Sequence, residues 1–179
     1  MISTNKKKEN ESIYVLHTYP FKETSLIAEL FSKNYGRISV IAKGARRPRS
    51  SLRGMLQSFQ LLQATWSGKK EIKTLHSIEW CDKFLSFKGG SLLCGFYINE
   101  LLIRLLPRED THQKLFEFYD QTMKTLEKDI NLDTALRRFE LNLLQELGYE
   151  VPLKEDENGD SIIPDKFYIY EAEYGPSEI

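Results

Sequence analysis

Between Leu30 and Lys70 the chain has no aspartate or glutamate, yet it carries nine lysines and arginines there. The formal net charge is -1, so this block holds +9 and everything else sums to -10. The missing acid excludes neutralisation by sequence neighbours, and a like-charged stretch of this kind answers to an external polyanion, most commonly nucleic-acid phosphate. Cysteine is nearly absent as well: Cys81 and Cys94 stand in no CxxC or related spacing, which excludes a disulfide framework and a zinc knuckle. No run approaches the roughly 20 apolar residues of a membrane span. The start, Met1 to Ser12, is polar and lacks the apolar centre of a signal peptide, so a cytoplasmic protein is expected. A Walker-type loop, GxGxxG, HExxH and GxSxG are all missing, and His17, His76 and His112 are scattered over two predicted strands and a helix. Glu109 and Asp110 read as dipole partners of a following helix. No enzyme is expected.

What remains is a chain of 179 residues and 41% hydrophobic content, enough for one or two small cores. Residues 1–11 read as a disordered tail, because Glu9 and Glu11 at once offset the Lys6-Lys7-Lys8 run. Ile13 to Thr18, Ser25 to Phe31, Arg37 to Lys43, Phe59 to Trp66 and Ile72 to Ile78 are short, rich in β-branched, aromatic or aliphatic residues, and bounded by turn chemistry. Asn34-Tyr35-Gly36 and Ser67-Gly68 suit hairpins. Five short strands with a long excursion between the third and fourth match a small closed barrel of the OB-fold type, over residues 12–80. The excursion is the basic block.

Past Trp80 the period changes from two to about 3.6. Ser91 to Leu106 is apolar over most of a helix surface and predicts a helix buried on several sides, ended by Pro107. Thr111 reads as the cap of a second helix with Leu115, Phe116, Tyr119, Met123 and Leu126 in one stripe, and Asp133 as the cap of a third that stops at Gly148. Residues 81–149 therefore form a helical domain in an α+β chain. Residues 150–179 are an acidic segment in which Phe167 to Tyr170 can form a strand.

Within the basic block, Lys43, Arg46, Arg47, Arg49 and Arg53, with Arg37 nearby, combine forked guanidinium donors with Ser50, Ser51 and backbone amides, the mixture that phosphate contacts use. Tyr14, Tyr35, Phe59 and Trp66 lie on or beside the strands, where they either stack bases or, more ordinarily, fill the barrel.

Eight fragments extend this reading. Tyr14-Val-Leu-His17, Glu23-Thr-Ser-Leu26, Gly36-Arg37, Ala42-Lys-Gly-Ala-Arg46, Leu52-Arg-Gly54, Leu56-Gln57 with Phe59, Tyr97-Ile-Asn-Glu-Leu-Leu102, and Leu136-Arg-Arg-Phe-Glu-Leu141 with Leu147-Gly-Tyr149 resemble, in register, the bacterial RecO recombination mediators. The resemblance implies an N-terminal OB-fold and a helical domain, without catalytic turnover, at work in the cytoplasm and nucleoid in DNA repair by the RecFOR route. It implies binding of single- and double-stranded DNA, annealing of complementary strands, association with RecR, and help to RecA in replacing single-strand-binding protein. It places the basic barrel surface on Arg37, Lys43, Arg46, Arg47, Arg49 and Arg53. It places the receptor for the acidic, apolar C-terminal tail of single-strand-binding protein at Arg137, whose ordinary role would be a helix-surface pair with Asp133 worth about 0.5 kcal/mol.

Two departures from the family matter. Many members hold zinc on four cysteines after the Gly-Tyr element; this chain has none there, so no metal and no cofactor are expected. The family's final helices, beyond the strand at Phe167 to Tyr170, are expected to be lacking, which leaves a small, incomplete helical domain with apolar surface uncovered. The alternatives are an adaptor whose helical domain binds an acidic peptide, with DNA contact secondary, and an RNA-binding barrel.

Overall fold

The alternation of polar and apolar residues over Arg37 to Lys43 and Glu71 to His76 becomes two strands of a closed barrel in the computed structural model, which describes residues 7–149, 151–171 and 174–179. Strands β1 (Lys8–Phe21), β2 (Ser25–Ser32), β3 (Gly36–Ala42), β4 (Leu61–Ser67) and β5 (Ile72–Trp80) close in the order β1-β2-β3-β5-β4, the expected OB-type count and excursion. All neighbours are antiparallel except β3 and β5. The turn after β1 and the excursion after β3 therefore lie at one end of the barrel, and the turns after β2 and β4 at the other. Strand pairing reaches Lys8, opposite Trp66, so β1 begins inside the stretch 1–11 read as a tail; residues 1–6 lie outside the described residues.

Every second residue of each strand turns inward: Ile13, Val15, Leu30, Val40, Leu62 and Trp66 are fully or almost fully buried in one cluster. A side chain of this size contributes roughly 1.5–3 kcal/mol when buried. The excursion closes one mouth of the barrel. Ala45 and Leu56 belong to the cluster, Leu52 and Met55 pack against it, and Leu52–Met55 wind into a short helix, α1.

Helices α2 (Gly89–Leu105), α3 (Gln113–Leu126) and α4 (Leu132–Glu146) follow. The predicted stripe on α3 is buried throughout. Its aromatics meet the outer face of β1 and β2, with Tyr14 at 4.7 Å from Tyr119 and Phe31 at 5.4 Å from Phe116, centroid to centroid. A β-bulge between Val15 and His17 leaves the Leu16 carbonyl outside the strand ladder. The Asn99 amide of α2 donates to it at 2.9 Å, and the Tyr119 hydroxyl donates to Asn99 Oδ1 at 2.6 Å. One polar residue in an apolar helix thus satisfies a strand irregularity.

Several local expectations are corrected. Thr111 does not cap α3: its hydroxyl donates to the Asn34 carbonyl, and His112 holds the cap position without a side-chain capping bond to the helix. Asp133 lies in the first turn of α4, where its charge favours the helix dipole, rather than before it. Glu109 pairs with Lys73 at 2.6 Å instead of serving a helix start. Helix α2 buries one strip, Ser91, Gly95, Ile98, Asn99 and Leu102, while Leu93 and Phe96 stand in solvent.

Residues up to Phe139 form one compact unit and Glu140–Ile179 a second, the division falling within α4. In the second unit β6 (Tyr168–Glu171) pairs with β7 (Gly175–Glu178) as a hairpin. The Asp156 carboxylate accepts the amides of Asn158 and Asp160, which closes the acidic turn from within.

Candidate nucleic-acid interface

The chain leaves β3 at Ala42 and crosses the barrel mouth in successive tight turns. Arg47 N–H donates to the Gly44 carbonyl and Ser50 N–H to that of Arg47, each at 3.0 Å. Ala45, fully buried, pins the loop from beneath, and Arg46 N–H donates to the Thr24 carbonyl at 2.8 Å, tying it to the β1–β2 turn. The backbone is therefore held while Lys43, Arg46, Arg47, Arg49 and Arg53 all stand exposed. Among the described residues none of these five is in an ion pair. Arg46 also donates to the Lys22 carbonyl at 3.2 Å, which brings Lys22 to the rim beside Glu23. Lys22 lies outside the acid-free stretch, and charge counting along the chain misses it.

Arg37 is elsewhere. Its guanidinium reaches Glu29 Oε2 at 3.1 Å and donates from Nε to the Leu106 carbonyl at 3.0 Å, with only 13% of the side chain exposed. Glu29, buried on β2, also receives Ser39 Oγ and, at 3.2 Å, Arg108, which in turn reaches Glu71 at 3.3 Å. Two guanidiniums on one buried carboxylate bind the segment after α2 to the barrel wall. Lys33 pairs with Glu117 at 3.0 Å, and Lys69 and Lys70 lie in the β4–β5 turn at the opposite barrel end. The nine cations contiguous in sequence are thus divided by the fold.

The proposed stacking residues divide too. Tyr14, Phe59 and Trp66 are buried, at 0%, 4% and 1% exposure, and no base can reach them. Tyr35 lies half-buried, edge-on to Trp66 at 5.7 Å. Open aromatics among the described residues of this region are others: Tyr19 on β1, and Trp80 at the end of β5 with Phe84 just beyond it, 5.8 Å apart. Nothing in their local pattern separates them from core residues.

Among the described residues no group of three His, Cys, Asp or Glu is placed to hold a metal ion. Burial first, then Asp82 and Glu79, pushes the Cys81 thiol up, and burial with Asp133 does the same for Cys94, so both stay protonated and poorly nucleophilic. No helix among the described residues is long and apolar enough to cross a membrane.

The family model for the N-terminal domain of recombination protein O matches residues 7–84, and that for its C-terminal domain matches residues 87–178. The chain belongs to the RecO family. It is 50% identical over 171 residues to the DNA repair protein RecO of Nitrosospira multiformis, covering 95% of this chain and 71% of that one. The corresponding protein of Dechloromonas aromatica is 48% identical over 176 residues, covering 97% and 73%. The RecO-like fragments now have physical reasons. Gly36 takes φ +63, and a Cβ there would stand 1.7 Å from the Asp110 carbonyl oxygen. Asn99 serves the bulge, and Phe139, in the Leu136-to-Leu141 fragment, is buried 6.3 Å from Tyr119. Arg137, two residues before Phe139, is exposed on α4.

Proposed function

We propose that this chain is a DNA repair and recombination mediator that binds single- and double-stranded DNA through the loop Lys43 to Arg53 and anneals complementary strands without catalytic turnover. On the same reading it associates with RecR and receives the C-terminal tail of single-strand-binding protein near Arg137. By that contact it helps RecA onto coated DNA in the cytoplasm. The observation that carries the DNA part is the ordered loop whose five exposed cations have no carboxylate partner among the described residues. Its relatives' name, DNA repair protein RecO, supports the same reading.

If these five cations each meet a single-strand phosphate, log affinity falls with log salt at a slope of about -3.5. Fluorescence anisotropy of labelled single-stranded DNA at low salt tests this. Replacing Arg46, Arg47 and Arg49 together by alanine is expected to weaken binding and to flatten the slope to about -1.4; unchanged affinity overturns the site. An adaptor role, favoured by the exposure of Arg137, predicts that Arg137→Ala abolishes tail-peptide binding while the loop variant leaves cellular repair intact.

A further inference from the structure

At the barrel end opposite the basic loop, a cavity of about 260 Å³ opens at the mouth between the β2–β3 and β4–β5 turns. Lys8, Tyr35, Gly68, Lys69, Lys73 and Glu109 are among its walls. Lys73 shares the inward face of β5 with Leu75 and is only 8% exposed, an unusual place for an ammonium. Its Nζ is 2.6 Å from Glu109 Oε1 and 3.4 Å from the Lys70 carbonyl. Lys8 lies 4.4 Å above the Tyr35 ring, so the aromatic face holds a second ammonium at the rim without neutralising it. The cavity walls therefore carry three cations and one carboxylate, which pairs with Lys73.

That carboxylate is held in an unusual way. Glu109 has φ +59, a conformation that costs a non-glycine residue energy, and its N–H is fixed to the Arg37 carbonyl at 2.9 Å. The strained backbone delivers a single anion into a lysine-lined cavity, while more than half of the Glu109 side chain remains in solvent. The usual docking face of such a barrel is meanwhile taken, because Glu29, Phe31 and Ser39 on the outer side of β2 and β3 are buried.

We propose that this mouth is a second backbone-phosphate site for single-stranded nucleic acid, and that Glu109 is an internal counter-ion which the phosphate displaces from Lys73. The proposal rests on the DNA-binding reading above and extends it: a strand held by the basic loop at one barrel end is gripped again at the other. Displacement trades one carboxylate–ammonium contact for a phosphate that meets Lys8, Lys69 and Lys73 together, and no bond is made or broken. A short oligonucleotide reaches the loop alone; a longer one reaches both ends.

The test is anisotropy on the full chain with labelled oligothymidylates of roughly four and roughly 16 nucleotides, the limits of one barrel's footprint. Glu109→Gln keeps the backbone bond and is expected to tighten the long oligonucleotide by roughly two- to fivefold, the worth of one exposed charge pair, without changing the short one. Lys8→Ala with Lys69→Ala is expected to weaken the long oligonucleotide alone and to reduce the magnitude of its salt slope by about 1.4. Thermal unfolding of both variants checks that they fold. Wild-type behaviour of both with the long oligonucleotide, while the Arg46, Arg47 and Arg49 variant still loses affinity, overturns the mouth site and leaves the loop reading standing. Absence of binding by the unmodified chain overturns both. Stabilisation by inorganic phosphate that the lysine variant abolishes, with no change in oligonucleotide binding, overturns the nucleic-acid assignment in favour of a small free anion.

Discussion

Arg37 and Arg47 come from the same acid-free stretch and meet opposite fates. Arg47 stands in solvent on a loop pinned by Ala45, while Arg37 lies against Glu29 and the Leu106 carbonyl. The difference is the partner that tertiary structure supplies. Glu29 sits one position before the acid-free stretch begins, on the neighbouring strand, and β2–β3 pairing brings it beside Ser39. A buried carboxylate with two guanidiniums is costly to assemble from water and costlier still to leave half-made, so it stabilises one particular arrangement of barrel and linker. Exposed cations gain almost nothing from the fold and remain available to a ligand. One cluster is expected to govern stability and the other binding.

The harshest way to break that contrast is Glu29→Ala, which leaves the buried Arg37 without its counter-ion and Arg108 with Glu71 alone. It should cost about 3–5 kcal/mol in urea unfolding, while DNA affinity per folded molecule stays unchanged. Gly36→Ala should cost about 2 kcal/mol or more, because it places a Cβ on the Asp110 carbonyl and breaks the passage of the linker over β3.

Tyr14 sharpens the contrast from the side of pH. Burial, then the hydrogen bond to Asp120 and its charge, pushes this phenol far above its ordinary 10, and burial pushes Tyr119 up as well. The folded state keeps protons that the unfolded chain releases above about pH 10, so stability is full below that range and falls as pH rises through it. Urea midpoints measured at about pH 9 and about pH 11 should show this loss. Tyr14→Phe should reduce the loss while lowering neutral stability by about 1 kcal/mol. The smallest stability effect belongs to the loop: alanine at Arg46, Arg47 and Arg49 should change the unfolding free energy measured in urea by no more than about 0.5 kcal/mol, although it is expected to weaken DNA binding. A larger destabilisation would mean that the loop cations also hold the fold together.

Much of the barrel was legible because a half-buried strand must alternate, and the α3 stripe because a helix must present one face every 3.6 residues. Short elements were not. Leu52–Met55 is too brief for a period, and Gly175–Glu178 has no strand-forming residue beyond what pairing with β6 confers. Of the candidate interface, the exposed loop cations could be read from charge alone, and Arg37 could not. A signal for it existed: Glu29 is a charged residue between Ala28 and Leu30 in an otherwise apolar strand, and buried acids have partners. Asn99 inside apolar α2 carried a similar hint. The stacking aromatics failed as candidates because Trp66 fills the barrel, while Tyr14 on its outer face is covered by α3 and Phe59, before β4, packs against Phe87 and Phe96.

By itself the sequence determined the element types, the barrel and helix order, the family, and a surplus of positive charge with no local acid, since these depend on periodicity and composition along the chain. Only the tertiary structure decided which of those charges are neutralised. An ion pair depends on distance through space, and the folding of β2 against β3 and of the linker against both brings Glu29 and Glu109 to cations far away in sequence while leaving Lys43 to Arg53 in solvent.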